Sequence, residues 1–230
     1  MSATIRLESV SLARGGRAVL DAVTLNLSER RIGLIGYNGS GKSSLVRLFN
    51  GLLQPDRGRV TVHGLDAARD AAHLPGKVGF IFQNPDHQII FPTAIEEVAF
   101  GLEQSGRSRR AAAAQARAAL AAHGREDWAE RPVHMLSEGE KQLLCIIAVL
   151  AMEPAVLVLD EPFASLDLPT RRRLERLIAG LPQQVVLVAH ELDAFDAYQR
   201  LIWLDRGAVR MDGPPVEVLA AYRRAAEAEL

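Results

Sequence analysis

One cysteine, few aromatic residues and almost no net charge are what this 230-residue chain offers at first sight. A lone Cys145 excludes an intrachain disulfide and suits a reducing compartment. It sits in the run LLCIIAVLAM, where a small buried hydrophobe is a commoner role for cysteine than a nucleophile. That run is the longest apolar stretch of the chain and is too short to span a bilayer. The opening residues, MSATIRLESV, lack the apolar core of a signal peptide. With 24% charged residues and a net charge of −1, there is no basic field to attract nucleic acid. The expectation is a soluble, cytosolic protein, long enough to bury a substantial core as one large domain or as a core with a subdomain.

What is present is an alternation of short apolar runs and turns. IRLESVSL, AVLDAVTLNL and RRIGLIG read as strands, followed by a helix from Lys42 to about Asn50, and RGRVTVHG and KVGFIF read as further strands. The middle of the chain changes character. TAIEEVAFGLEQ carries a Thr93/Glu96 capping box, SRRAAAAQARAALAAHG starts at a cap-like Ser108 and stops at Gly124, and a third helix runs from Ser137 to about Met152. Alanine is the best helix former, so the alanine-rich segment is a helix and not low-complexity sequence. Strand and helix then alternate again through AVLVLD, PTRRRLERLIAG, QQVVLVAH and RLIWLD, and an amphipathic helix closes the chain. The layout is a parallel α/β core, residues 1–83 and 153–230, with an all-helical insertion at 84–152. The whole chain is read as one domain.

Several stretches carry chemistry. GYNGSGKSS, from Gly36 to Ser44, satisfies G-x-x-x-x-G-K-[ST] between a strand and a helix, the context this phosphate-binding motif needs. Gly36, Tyr37, Asn38, Gly39, Ser40 and Gly41 form a loop whose backbone N–H groups can curl around phosphate oxygens. Lys42 supplies charge to the β- and γ-phosphates, and the hydroxyl of Ser43 can ligate Mg²⁺. AVLVLDEP ends a buried strand in Asp160, placed to reach Mg²⁺, with Glu161 beside it as general base for an attacking water. Gln83, at the end of KVGFIF, has a neutral amide suited to touching Mg²⁺ and that water. For Gln88, beyond a proline bend, a surface amide is as good a reading as a functional one. His190 ends VVLVAH, where it could bond the γ-phosphate edge or serve structure alone. Asp167 is a phosphate-site acid or simply the N-cap of the next helix. In MLSEGEKQLL, Ser137 and Glu140 fit a capping box, while Ser137 followed by Gly139 would also let a phosphate approach a helix N-terminus.

Taken together and in this order, the phosphate loop, Gln83, LSEGE, VLVLDEP, SLD and His190 resemble the ATP-binding cassette (ABC) ATPases over nearly the whole chain. The resemblance implies a P-loop NTPase core of RecA type, with an N-terminal antiparallel β subdomain and an inserted helical subdomain. It implies ATP and Mg²⁺ as ligands. It also implies that Ser137, Gly139 and Glu140 belong to a signature that binds the γ-phosphate held by the other subunit of a head-to-tail dimer, a homodimer or a pair with a related ATPase. The stretch FQNPDHQIIFPTAIEEVAFG is similar to the corresponding region of the energy-coupling-factor members, which energise bacterial uptake of vitamins and transition metals. By that resemblance the chain works at the cytoplasmic face of a bacterial membrane, with a transmembrane coupling subunit and a substrate-binding membrane subunit, and contacts no nucleic acid. Ile89, Ile90 and Phe91 would grip a short helix of the membrane partner, unless they only anchor the subdomain. The short C-terminus is similar to that of the biotin-uptake members. Import of biotin is therefore expected first, cobalt or nickel import next, and a soluble non-transport ATPase last.

Three positions depart from the family pattern. Arg14 stands where an aromatic usually stacks on adenine; a guanidinium can also stack. Glu138 and Glu140 replace a glycine and a glutamine of the signature. Two carboxylates near a γ-phosphate cost on the order of 1 kcal/mol per pair in a water-like dielectric. Leu143 replaces an arginine.

Overall fold

The computed structural model describes residues 4–164 and 166–228. Strands β1 (Ile5–Arg14), β2 (Arg17–Leu27), β4 (Arg57–Val62) and β5 (Leu65–Asp66) form an antiparallel sheet in the order β2-β1-β4-β5. A second sheet contains β3 (Arg31–Ile35), β6 (Val78–Ile81), β7 (Val156–Asp160), β8 (Gln184–Val188), β9 (Arg200–Asp205) and β10 (Ala208–Gly213). Its order is β10-β9-β3-β8-β7-β6, parallel throughout except for the antiparallel pairing of β10 with β9. The α-helices are α1 (Lys42–Arg47), α2 (Ala94–Gln104), α3 (Arg109–Ala122), α4 (Glu138–Ala151), α5 (Leu168–Gly180) and α6 (Pro215–Ala228). This is the mixed α/β architecture expected from the sequence, an antiparallel sheet beside a largely parallel one with three α-helices inserted between β6 and β7.

The central strands read as unbroken apolar runs because both faces of a parallel sheet are covered. Their alternation sorts side chains into two cores. Val156, Val158, Val186 and Val188 point to a core shared with the antiparallel sheet and α1. Leu157, Leu159, Val185 and Leu187 point to the other, which takes in α2 to α6. On α3, Ala112, Ala116 and Leu120 recur every fourth residue and are fully buried, so the small side chains allow close packing against α2 and α4.

Some local expectations are corrected. Helix α1 ends at Arg47 and not near Asn50, because the N–H groups of Leu48 and Phe49 turn to carbonyls three residues back, at 3.2 and 3.1 Å. The hydroxyl of Thr93 donates to the Glu96 carboxylate at 2.6 Å and caps no backbone N–H. The N–H groups of Ala94 and Ile95 are taken instead by the carbonyls of Arg131 and Ala129. Strand β10 was not expected. It is an edge strand of alternating exposure, joined to β9 through Arg206 and Gly207, both at positive φ (47° and 82°), the geometry that matches the twist of a tight hairpin. Ser165 of the SLD stretch lies outside the described residues.

Candidate functional site

The carboxyl ends of four neighbouring strands, β3, β8, β7 and β6, deliver the expected residues to one cleft. The phosphate loop leaves β3; His190 lies two residues past β8, Glu161 directly after β7, and Gln83 two residues past β6. The cleft encloses about 780 Å³ and is lined by Asn38 to Ser44 with Gln83, Glu161 and His190. Two glycines of the loop are dictated by space and backbone angle. Gly36 has φ 150°, and a β-carbon there would meet the Leu204 carbonyl oxygen at 2.1 Å; Gly41, the N-cap of α1, has φ 102°. Gly39 also has positive φ, and the space about its α-carbon is open.

Lys42 is buried and its Nζ donates to the carbonyls of Gly36 and Tyr37 at 2.8 and 3.0 Å, which stiffens the loop across its own base. Burial pulls the lysine pKa down, and the nearby charges of Glu161 and Asp160 oppose that. Ser43 Oγ donates to Asp160 Oδ1 at 2.9 Å, and Arg47 approaches Asp160 Oδ2 at 3.6 Å. Asp160 is buried, and desolvation raises its pKa despite the serine bond and the arginine. Tyr37 packs its ring on Tyr222 of α6, with centroids 5.4 Å apart, and Tyr222 meets Trp203 of β9 edge-on at 5.2 Å.

Gln83 and His190 converge on the Glu161 carboxylate. His190 Nε2 lies 2.8 Å from Glu161 Oε1, and Gln83 Nε2 donates to Glu161 Oε2 at 3.2 Å. Glu161 itself has φ 53°, an unfavourable region for a residue with a β-carbon, and its N–H is held by the Val188 carbonyl at 2.9 Å. The left-handed turn points its side chain away from the strand direction and over the cleft.

Ser137 and Gly139 are not among the residues that line this cleft. They open α4, where the capping box is complete: Ser137 Oγ accepts from the Glu140 N–H at 3.3 Å, and Glu140 Oε2 accepts from the Ser137 N–H at 2.8 Å. That backbone bond, with Arg131 nearby, holds the Glu140 carboxyl below the usual glutamate range. Glu140 is thus turned back onto its own helix, and Glu138 stays exposed. Gly139 is set by a close approach, since a β-carbon there would fall 2.5 Å from the Thr170 methyl of α5. Asp167 is exposed and caps α5 by accepting from the Thr170 N–H at 2.8 Å.

Arg14 is exposed at the end of β1, beside the Gly15–Gly16 turn, and the residue of this hairpin that lines the cleft is Val19. A valine in a strand gives no sequence signal of that role. A second group that sequence reasoning passed over is Gln142 of α4. It is 1% exposed and donates to the carbonyl of Phe82 at 3.2 Å. Gln88 also turns inward, its Oε1 accepting from the Phe82 N–H at 3.2 Å. The apolar trio past it divides: Ile89 packs on the core, Phe91 stacks on Phe100 at 5.0 Å, and Ile90 stands 66% exposed. The N–H groups of Ile90 and Phe91 both bond the buried Glu97 carboxylate, at 2.9 and 3.0 Å. Among the described residues, no helix is long and apolar enough to cross a membrane.

Residues 20–164 match the family described as ABC transporter. The chain is 53% identical over 224 residues to the biotin transport ATP-binding protein BioM of Rhodobacter capsulatus, covering 97% of this chain and 96% of that protein. It is 41% identical to the energy-coupling factor transporter ATP-binding protein EcfA1 of Symbiobacterium thermophilum, over 90% of this chain and 75% of that one. Its fold superposes with a TM-score of 0.83 on cbiO1 of Clostridium perfringens, described as part of the ABC transporter complex cbiONQ, at 28% identity over 96% of this chain and 92% of that one.

Proposed function

The chain belongs to the ABC transporter family, and we propose that it is the ATP-hydrolysing subunit of an energy-coupling-factor importer whose cargo is biotin. The observation that carries the hydrolytic part is the Glu161 carboxylate, held between His190 and Gln83 across the cleft from the phosphate loop. The loop N–H groups and Lys42 bind the β- and γ-phosphates. Glu161 takes a proton from the attacking water as its oxygen bonds the γ-phosphorus and the bond to the ADP oxygen breaks. Gln83 and His190 orient that carboxylate and the groups around it. Ser43 Oγ and Asp160 Oδ1, 2.9 Å apart, are hard oxygen donors of the kind Mg²⁺ accepts, so the site fits that ion; these two residues would hold it, and Gln83 is assigned to it as well. When bound, Mg²⁺ offsets charge on the phosphate oxygens. We assign the adenine to the hairpin that carries Arg14 and the cleft-lining Val19.

Ser137 and Gly139 stand apart from the chain's own cleft, which supports their use on the nucleotide of a second subunit. The Ser137 hydroxyl accepts within the capping box but keeps its proton for donation, and the charge of Glu140 is partly offset by Arg131 at 3.4 Å. Glu138 is the one open carboxylate of the signature. Two subunits related head to tail would complete two sites, the simplest arrangement being a homodimer. The exposed Ile90, with Phe91 stacked on the partly exposed Phe100, offers an apolar foothold for a membrane subunit, in keeping with a peripheral place at the cytoplasmic face.

Two measurements test the reading. The purified chain is expected to hydrolyse ATP only with Mg²⁺ present. Co-expression with energy-coupling-factor membrane subunits from the same genome, purification of the complex and mass spectrometry of its ligand should yield biotin. Cobalt or nickel in the ligand spectrum would reassign the cargo, and absence of any membrane complex would remove the importer reading.

A further inference from the structure

The backbone of Phe82 is held from two sides by amide side chains. Residue 82 follows the last residue of β6, the edge strand of the central sheet, so no neighbouring strand takes its N–H and C=O. Gln88 Oε1 accepts from the Phe82 N–H and Gln142 Nε2 donates to the Phe82 carbonyl, each at 3.2 Å. Because the Phe82 carbonyl can only accept, the Gln142 amide orientation is fixed, NH₂ towards the loop. Its Oε1 is then buried without a hydrogen-bond partner among the described residues. A buried orphan acceptor is costly, and it persists only where the donor end of the same amide is needed. One residue further on is Gln83, whose Nε2 holds Glu161. One residue before Gln142, Lys141 pairs with Asp86 at 2.6 Å, a second tie from α4 to the same loop.

We propose that Gln142 is a positioning residue that transmits the placement of the signature helix α4 to Gln83, and through it to the catalytic carboxylate. The inference rests on the hydrolytic reading of Glu161. The chain of contacts is short and directional: Ser137 begins α4, Gln142 lies on the next turn and a half of that helix, its amide fixes Phe82, and Phe82 fixes Gln83. A shift of α4 when a second subunit engages Ser137 would therefore reach Gln83 without any movement of the central sheet. Gln88, from within the loop, closes the bracket on the other side and makes Phe82 the point at which both are felt.

The experiment is a double-mutant cycle on the full chain, with Gln142→Met, Gln83→Ala and both together. Methionine keeps the length and apolar body of the side chain and removes the donor. The expected results for Gln142→Met are a kcat lowered about tenfold, a KM for MgATP within about twofold of wild type, and a double variant no slower than Gln83→Ala alone. Residues acting through one another give such non-additivity, whereas a merely structural loss multiplies the two effects. Should Gln142→Met fail to fold, Gln88→Ala takes its place in the same cycle, with the same expected pattern. Wild-type kcat in Gln142→Met, or multiplicative effects in either cycle, overturns the proposal. Failure of the underlying reading looks different: there the wild-type chain itself shows no Mg²⁺-dependent hydrolysis, or Glu161→Gln leaves turnover unchanged.

Discussion

Glu161 and Asp160 are adjacent in sequence yet sit in opposite physical situations. Glu161 reaches over the cleft from a left-handed backbone turn, while Asp160 is buried beneath it against Ser43. Replacing Glu161 by Gln keeps the shape and one acceptor oxygen and removes the proton acceptor. Turnover should fall by about 10²–10⁴-fold with ATP binding retained, read by steady-state hydrolysis and equilibrium nucleotide titration. Asp160 carries a stability cost, since its pKa is raised by burial and the folded state holds its proton more tightly than the unfolded chain. The sign follows: stability falls as pH rises from the ordinary aspartate value towards the raised one, and stays lower above it. Asp160→Asn is thus expected to melt at a higher temperature than wild type at pH 7 and to lose Mg²⁺-dependent hydrolysis, with the melting difference narrowing as pH is lowered. At this scale most of the cleft was legible in sequence, because Gly36 to Ser44, Asp160 and Glu161 are contiguous motifs with a chemical reason for each residue type. Gln142 and Val19 were not. Their roles depend on which backbone each happens to face after folding, and no spacing within their own segments encodes that.

Helix starts show the same contrast among the elements. Ser137 with Glu140 and Thr93 with Glu96 are the same pattern in sequence, but only the first forms a reciprocal box. At α2 the segment 129–131 supplies carbonyls to the first N–H groups, a tertiary solution that a local motif cannot disclose. Strand β10 was missed for a different reason: Val209, Arg210, Met211 and Asp212 do alternate, but the run is short and lies between the charged DRG turn and Gly213. The completed box at α4 has a measurable weight. Ser137→Ala removes a cap worth about 1 kcal/mol, which for a chain of this size lowers Tm by about 2–4 °C. It should also weaken ATP-driven dimerisation and hydrolysis by roughly tenfold to a hundredfold, the cost of one hydrogen bond to a charged group. Glu140 adds a pH signature of the opposite sign to Asp160, because its folded pKa is lowered by the Ser137 N–H. Its contribution is full above the ordinary glutamate pKa and is lost as pH falls through the depressed folded value. The Glu140→Gln and wild-type Tm profiles should therefore converge in acid, where the wild-type carboxyl is also neutral.

For the whole molecule, the fold separates chemistry from contact. The central sheet collects the hydrolytic groups at the carboxyl ends of its strands, while the segment between β6 and β7 carries the signature and the exposed Ile90. Ile90→Asp should abolish uptake by the assembled complex and leave hydrolysis by the isolated chain near wild type, since the side chain touches neither the cleft nor the core. Loss of hydrolysis instead would mean that the patch shapes the nucleotide site. The same separation makes the protein its own optical instrument. Its two tryptophans fall on either side of the divide: Trp128 is buried in the helical part beneath Arg125, and Trp203 is linked through Tyr222 to Tyr37 of the phosphate loop. Nucleotide settling into the loop should move the Tyr37 ring and alter the emission of Trp203, with Trp128 as a silent reference until the helical part itself rotates. Trp203→Phe should erase the fast nucleotide signal and spare any slower one, so that binding and subdomain rotation become two resolvable colours of one unlabelled chain.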